Sequence, residues 1–215
     1  MGRRTHSAAR CVTCRMHVHA CLCAGLPRLA LRTRVELVMH RRERGKPTAT
    51  GELALACLVH GAVHVQGLPE APADLAHLDT VSRRLLVLFP SEEARPLTTE
   101  LLDEDPRPVT LVVPDGSWRQ ASRIARRVPG LEGAERVTLP AGPPTTYRLR
   151  REPKEGGLAT AEAIARALGV IEGAEVQEAL EAVFDRQVTA CLDARQPPSP
   201  TPRGGAPRSG RGDGR

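Results

Sequence analysis

A chain of 215 residues carrying 31 Lys/Arg against 25 Asp/Glu is long enough for one full hydrophobic core and a small appended module. No stretch approaches the ~18 consecutive apolar residues of a membrane-spanning helix, which argues against a helical membrane protein and leads to the expectation of a soluble, cytoplasmic one. With one Trp, one Tyr and two Phe in all, a protein that grips single-stranded bases mainly by aromatic stacking is excluded as well.

The formal charge of +6 is unevenly spread. Residues 1–50 hold 11 Lys/Arg against 2 Asp/Glu and the last twenty hold 4 against 1, while the middle of the chain is net acidic. Basic ends point to a polyanion such as RNA meeting the N-terminal part, with a solvated arginine-rich surface as the plain alternative.

Residues 1–9 are polar and are expected to be disordered. No apolar leader precedes the cysteines that follow, so an oxidising compartment has no support. Cys11, Cys14, Cys21 and Cys23 fall within thirteen residues. Four clustered thiolates need a compensating cation, and Zn²⁺ supplies the charge together with a tetrahedron of sulfurs about 2.3 Å from the ion. The two-residue spacer suits a tight knuckle, and the Cys21-x-Cys23 step suits extended or turning backbone. His17 and His19 lie between them and either can replace a cysteine; two disulfides or a redox Cys-x-x-Cys are the competing uses. A four-cysteine zinc module is expected over residues 10–30. Cys57 and Cys191 sit in apolar helical patterns and read as buried core thiols.

A second unit is expected over residues 31–194. Residues 34–39 read as a strand, after which Thr50 is placed to cap an apolar-periodic stretch containing Leu53, Ala56, Cys57 and Val59. Strand-like runs recur at 85–89, 109–113 and 136–139, and their nearly continuous apolar character suits a parallel sheet covered on both faces. A helix over 118–128 shares Trp118, Ala121, Ile124, Ala125 and Val128 on one face. Arg119, Arg123, Arg126 and Arg127 fall largely elsewhere, as an RNA-facing edge or a solvated one. Thr160 is placed to cap a helix running to Leu168, and a longer amphipathic helix is expected over 174–193. The Pro/Gly/Arg-rich tail, 195–215, is expected to be disordered.

Strands alternating with helices argue for an open α/β sheet, whose ligands sit beyond the carboxyl ends of the strands. The informative loops are then those after Phe89, Val113 and Leu139. Pro114-Asp115-Gly116-Ser117-Trp118 places a carboxylate, a hydroxyl and the lone tryptophan at a strand-to-helix junction, although a helix cap accounts for the same string. No G-x-G-x-x-G or Walker loop is present. Arg148 and Arg150 would point the same way from extended backbone, giving a paired anion contact. Gly156 and Gly157 precede the Thr160 helix start, where open backbone N–H groups suit a ligand.

In order and spacing, the cysteine cluster, Met39-His40-Arg41-Arg42-Glu43 running to Lys46-Pro47-Thr48-Ala49-Thr50-Gly51, Asp115-Gly116-Ser117-Trp118, Tyr147-Arg148-Leu149-Arg150 and Leu158-Ala159-Thr160-Ala161-Glu162 together resemble the DTW-domain family over about residues 10–192. Ser117 stands where the family's Asp-x-Thr-Trp motif has threonine, keeping the hydroxyl and losing a methyl. Arg41 stands where the family tends to have proline.

The resemblance implies a tRNA-uridine aminocarboxypropyltransferase related to the SPOUT methyltransferases. Such an enzyme has an open, mostly parallel sheet with helices on both faces and a C-terminal trefoil knot, which general topology rules would not suggest. It binds S-adenosylmethionine in the sheet's loops and transfers the 3-amino-3-carboxypropyl group to N3 of an unpaired uridine. On that footing Asp115 is the expected base, Ser117 orients the uracil or the co-substrate, and Trp118 packs the loop. Phe89, Pro90, Val113, Asp115, Leu139, Arg148, Arg150 and Thr160 are the expected S-adenosylmethionine contacts. The zinc module with Arg28, Arg32, Arg34, Arg41 and Arg42 is the expected tRNA-docking surface. The zinc is structural, since four thiolates leave no open position. Methyl transfer by the same fold and a non-catalytic zinc-dependent RNA-binding protein are the rival readings.

Overall fold

Apolar runs without polar alternation are stable as strands only where both faces are covered, and the chain meets that condition. The structure, a computed structural model, describes residues 9–46, 48–147 and 157–194. The expectations for residues 1–8, for Arg148 and Arg150, and for the tail 195–215 lie outside the described residues.

Six strands, β1 (Arg34–His40), β2 (Gly61–Gln66), β3 (Arg84–Leu88), β4 (Arg95–Pro96), β5 (Val109–Asp115) and β6 (Glu135–Thr138), form one sheet in the order β2-β1-β5-β3-β6-β4. Every pairing is parallel. Among the described residues five α-helices accompany them: α1 (Gly51–Ala56), α2 (Thr99–Asp103), α3 (Trp118–Arg127), α4 (Thr160–Glu172) and α5 (Ala174–Asp193).

Strand periodicity sorts the core into two layers. Leu37, Met39, Leu86, Leu88, Leu111, Val113 and Val137 face α1, α2, α4 and α5 in one cluster. Val38, Leu85, Val87 and Val112 face Ile124, Ala125 and Val128 of the α3 region in the other. The face assigned to the 118–128 helix from its periodicity is therefore the buried one, except that Trp118 is half-exposed at its start.

The cysteine segment is docked on the larger layer. Cys14 and Met16 are each 1% exposed and join the same cluster as Leu180, Phe184 and Cys191. Arg15 pairs with Glu52 of α1 at 3.1 Å, and Leu29 bridges the end of α1, its N–H to the Cys57 carbonyl and its own carbonyl to the Val59 N–H. Cys57 and Cys191 are buried, as expected of core thiols, and burial pushes the Cys57 thiol up to about 11.

Three local expectations change. β5 does not stop at Val113 but continues through Pro114 to Asp115, so the carboxylate ends a strand rather than sitting in a loop. Pro114 is tolerated because the β3 ladder has ended at Val112 and only β1 still runs alongside, Val38 opposite Pro114 and Met39 opposite Asp115. Thr50 and Thr160 both stand at helix starts, but neither hydroxyl caps its own helix. The Thr50 Oγ1 accepts the Ala161 N–H of α4 at 3.1 Å, and the Thr160 hydroxyl donates to Asp115 at 2.6 Å.

The chain leaves β1 toward β2 at one side of the sheet, through α1, and leaves β5 toward β6 at the other, through α3 on the opposite face. A crevice opens at the carboxyl ends of neighbouring strands whose connections diverge in this way. Here it lies between His40 and Asp115.

Candidate active site and metal centre

Asp115 is 6% exposed, and its Oδ1 accepts the Thr160 hydroxyl at the first residue of α4. A bond of this kind fixes the carboxylate rotamer. Gly116 then turns the chain into α3. A side chain there would press on Gln120, its added Cβ 3.0 Å from the Gln120 Cβ and 3.3 Å from that of His40, so glycine lets the α3 start sit against the end of β1. Ser117 is exposed, with its N–H bonded to Gln120 Oε1 at 2.8 Å. The Trp118 ring meets Phe89, centroids 5.9 Å apart, which joins the ends of β5 and β3.

α4 brings the remaining motif residues to the same edge. Glu162 is 3% exposed and accepts the Ala159 N–H at 2.8 Å, the Thr146 N–H at 2.9 Å and the Thr145 hydroxyl at 2.5 Å. The Tyr147 hydroxyl donates to the Thr48 carbonyl at 2.7 Å, and its ring lies 5.8 Å from Phe184. Glu162 thus ties the 145–147 segment to α4, and Tyr147 ties it to the approach to α1. A Glu162→Gln protein keeps the shape but loses the charged acceptor. We expect it to be destabilised by about 1.5–3 kcal/mol, the scale of a buried hydrogen bond to a charge, measured by chemical denaturation.

The expected co-substrate contacts are distributed as follows. Phe89, Pro90, Asp115, Leu139 and Thr160 lie at or just beyond the carboxyl edge. Val113 is 3% exposed and belongs to the core below it, so its side chain is floor rather than lining. Arg148 and Arg150 lie outside the described residues. The cleft of about 630 Å³ between Leu75, Arg84, Arg107 and Glu135 belongs to the amino edge, and two of its arginines are paired, Arg84 to Glu135 and Arg107 to Asp105 at 2.6 Å each.

Sequence reasoning quoted His40 and Glu162 within motifs but assigned neither a role. His40 closes β1 beside Asp115, and burial, followed by Arg42 and Arg41, holds its pKa below the ordinary histidine value. The only sequence signal was position: a histidine at the end of an apolar run is at a strand's carboxyl end if the sheet is parallel.

The five arginines expected at the RNA surface divide. Arg41 and Arg42 are exposed just past β1, next to the Asp115 edge. Arg34 opens β1 and Arg32 precedes it, while Arg28 neighbours the Leu29 bridge that leads into β2, so these three lie at the amino edge. Six residues of strand separate the two groups by about 20 Å.

The four cysteines converge. Their sulfurs all lie within 4.8 Å of one another, with Cys11 to Cys23 at 3.5 Å and Cys14 to Cys21 at 3.7 Å. A tetrahedron with sulfurs 2.3 Å from its centre has edges of about 3.8 Å, so the donor set and spacing fit a tetrahedral thiolate-bound metal. Arg15 takes up φ +59°, the left-handed turn that follows Cys14. The backbone N–H groups of Cys14 and then Thr13 lower the Cys11 thiol to about 6, whereas burial and the neighbouring thiols push Cys23 up to about 12. Without a cation the group cannot hold four thiolates at neutral pH; with one it can. His17 and His19 stack on each other, centroids 5.5 Å apart, outside this four-sulfur set.

The chain matches the DTW domain family over residues 8–192. It is 31% identical to tRNA-uridine aminocarboxypropyltransferase 2 of Drosophila melanogaster over 76% of this chain and 66% of that protein, and 31% identical to the Macaca fascicularis protein of the same name over 75% and 56%. It is 28% identical to tRNA-uridine aminocarboxypropyltransferase A of Arabidopsis thaliana over 92% and 86%. The chain thus spans between about half and two thirds of the length of the animal relatives. No solved structure matches it. The family match covers most of the chain, from the cysteine cluster to the end of α5, and the chain belongs to the DTW-domain family.

Proposed function

We propose that this protein modifies tRNA by transferring the 3-amino-3-carboxypropyl group of S-adenosylmethionine to N3 of an unpaired uridine, and that its α/β sheet and C-terminal helices are a SPOUT-type fold with the trefoil knot of that class. The observation that carries the reading is the convergence of the dispersed motifs on one crevice. His40, Asp115, Ser117, Trp118 and Thr160 meet at the carboxyl edge, and Thr48, Thr50, Tyr147 and Glu162 brace it. The names of the relatives supply the group transferred and its acceptor. Zn²⁺ on Cys11, Cys14, Cys21 and Cys23 is structural in this reading.

The sulfonium of S-adenosylmethionine carries three carbons, and the one presented in line with the nucleophile reacts. Uridine N3 forms a bond to the methionine-chain γ-carbon, the carbon–sulfur bond breaks, and methylthioadenosine leaves with the electron pair. N3 starts with a proton, which must go to a base. Asp115 is that base here, its rotamer held by Thr160. Because N3 is a Watson–Crick atom, the target uridine is unpaired or flipped out.

The test is mass spectrometry of tRNA nucleosides after incubation with S-adenosylmethionine labelled separately in the methyl group and in the methionine chain. Label from the chain without label from the methyl group is expected. Methyl label alone would assign the protein to methyl transfer, and no label in either arm would leave the Asp115 junction as a helix start only.

A further inference from the structure

One exposed basic surface near the Asp115 crevice is a helix face that the motifs do not include. α3 carries Arg119, Arg123, Arg126 and Arg127 on its solvent side, opposite the buried Ala121, Ile124 and Ala125. Residues at i, i+4 and i+7 or i+8 form one ridge along a helix, here about 12 Å from first arginine to last. No acidic residue occurs between Asp115 and Glu132. Among the described residues none of the four arginines forms an ion pair, although seven ion pairs form elsewhere.

The first of them opposes helix stability. The first turn of a helix favours acidic side chains, because the backbone dipole places positive charge there; α3 has none in its first turn and has Arg119 instead. A residue that disfavours its own helix and has no acidic partner among the described residues is explained by an external anion.

Its position points the same way. The ridge starts two residues after Ser117, and Gly116 seats the α3 start against His40, so the α3 face and the exposed Arg41, Arg42 and Arg44 flank one crevice from its two strands. Glu43, the acidic residue within that second group, is 7% exposed and held by Lys46 at 2.7 Å.

We infer that the α3 arginine ridge, continuous with Arg41 and Arg42, is the surface that docks the phosphate backbone of tRNA and delivers the uridine to the Asp115 crevice. Phosphates suit such a ridge because contacts of this kind position a polyanion without reading its sequence. Arg28, Arg32 and Arg34, expected from the sequence to share the task, lie at the far edge of the sheet. The inference rests on the proposed tRNA reading, but it concerns binding and is separable from the chemistry.

The experiment measures tRNA affinity of the full chain as a function of salt, for wild type and for an Arg119→Gln/Arg123→Gln/Arg126→Gln/Arg127→Gln protein. Each lost phosphate contact lowers the magnitude of the log Kd against log salt slope by about 0.7–0.9. We expect the slope to fall by about 3 and affinity at ~0.1 M salt to fall at least tenfold, with the thermal midpoint held or raised. Wild-type slope and affinity in the α3 variant, or a loss confined to an Arg28→Gln/Arg32→Gln/Arg34→Gln protein, would overturn the inference. So would polyglutamate competing as well as tRNA, which would give the face to an acidic protein. Wild-type protein that binds tRNA through α3 yet transfers nothing would overturn the transfer reading alone, whereas wild-type protein that fails to bind tRNA would overturn both.

Discussion

An Asp115→Asn protein should fold, bind tRNA and turn over at least 100-fold more slowly than wild type. Asparagine keeps the volume of the side chain, and its amide oxygen can still accept the Thr160 hydroxyl that lies 2.6 Å from Asp115. What it removes is the proton acceptor. General base catalysis contributes about 10²–10⁴ in rate, or ~3–5 kcal/mol at 1.36 kcal/mol per decade, so the loss should appear in kcat with the tRNA Kd within about twofold. A Thr160→Val protein separates positioning from chemistry. Losing the hydroxyl bond frees the carboxylate rotamer without removing the proton acceptor, so kcat should fall, by less than in Asp115→Asn, with the tRNA Kd unchanged. Turnover at the wild-type rate in Asp115→Asn would sink the assignment.

His40 supplies the contrasting case. Its pKa is held below the ordinary histidine value, chiefly by burial and then by Arg42 and Arg41. It is therefore neutral at pH 7 and able to take a proton. If His40→Gln lost the large factor and Asp115→Asn did not, the base would be the residue at the end of β1 rather than the one at the end of β5.

How much of this was legible in the sequence follows from the range of the interactions involved. The strands at 34–40, 84–88 and 109–115 announce themselves because burial on both faces makes the run itself apolar. α5 was legible to its ends, Ala174 and Asp193, because a 20-residue amphipathic period is a local property. β2 was missed because an edge strand reading Gly-Ala-Val-His-Val-Gln is largely exposed and lacks the burial signature, and β4 because two residues carry no period. The cysteine spacing disclosed its own convergence.

The caps misled for an instructive reason. Thr50 and Thr160 have the residue type and position of N-caps, but their hydroxyls bond across 111 and 45 residues to Ala161 and Asp115. A threonine that serves another element cannot be told from a cap without the fold. The same limit separated the arginines: Arg34 and Arg41 look adjacent in sequence, yet a strand lies between them and puts them on opposite edges. Conversely, periodicity leaves the α3 arginines open between an RNA-facing edge and a solvated one, and only the sheet sets them beside the crevice.

Removing the metal should be the other large effect, and it should register in stability before activity. The cysteine segment is not an independent bead. Cys14 and Met16 are 1% exposed, the Met16 sulfur lies 3.6 Å from Cys191 Sγ in α5, and Arg186 of α5 reaches the Gly25 carbonyl at 2.9 Å. Without a cation the four sulfurs cannot all stay ionised at neutral pH, and Cys23, pushed up to about 12 by burial and its neighbours, is protonated. The sulfurs then lose their common centre, and the knuckle that holds Met16 in the core is released. Structural zinc contributes about 10–16 kcal/mol in isolated zinc-finger peptides. In a segment also held by Glu52 and α5, a loss of about 3 kcal/mol is a conservative share, which at ~2–4 °C per kcal/mol is a fall of about 6–12 °C in Tm. A Cys14→Ser protein should show the same fall and contain well under one zinc by elemental analysis, whereas reductant-protected wild type should contain one per chain. Wild type without zinc, or a chelated protein melting unchanged, would remove the metal from the account. The direction with pH follows from the same thiols: metal binding needs them deprotonated, so the metal-dependent part of the stability should be full at neutral pH and be lost as pH falls and protons displace the ion.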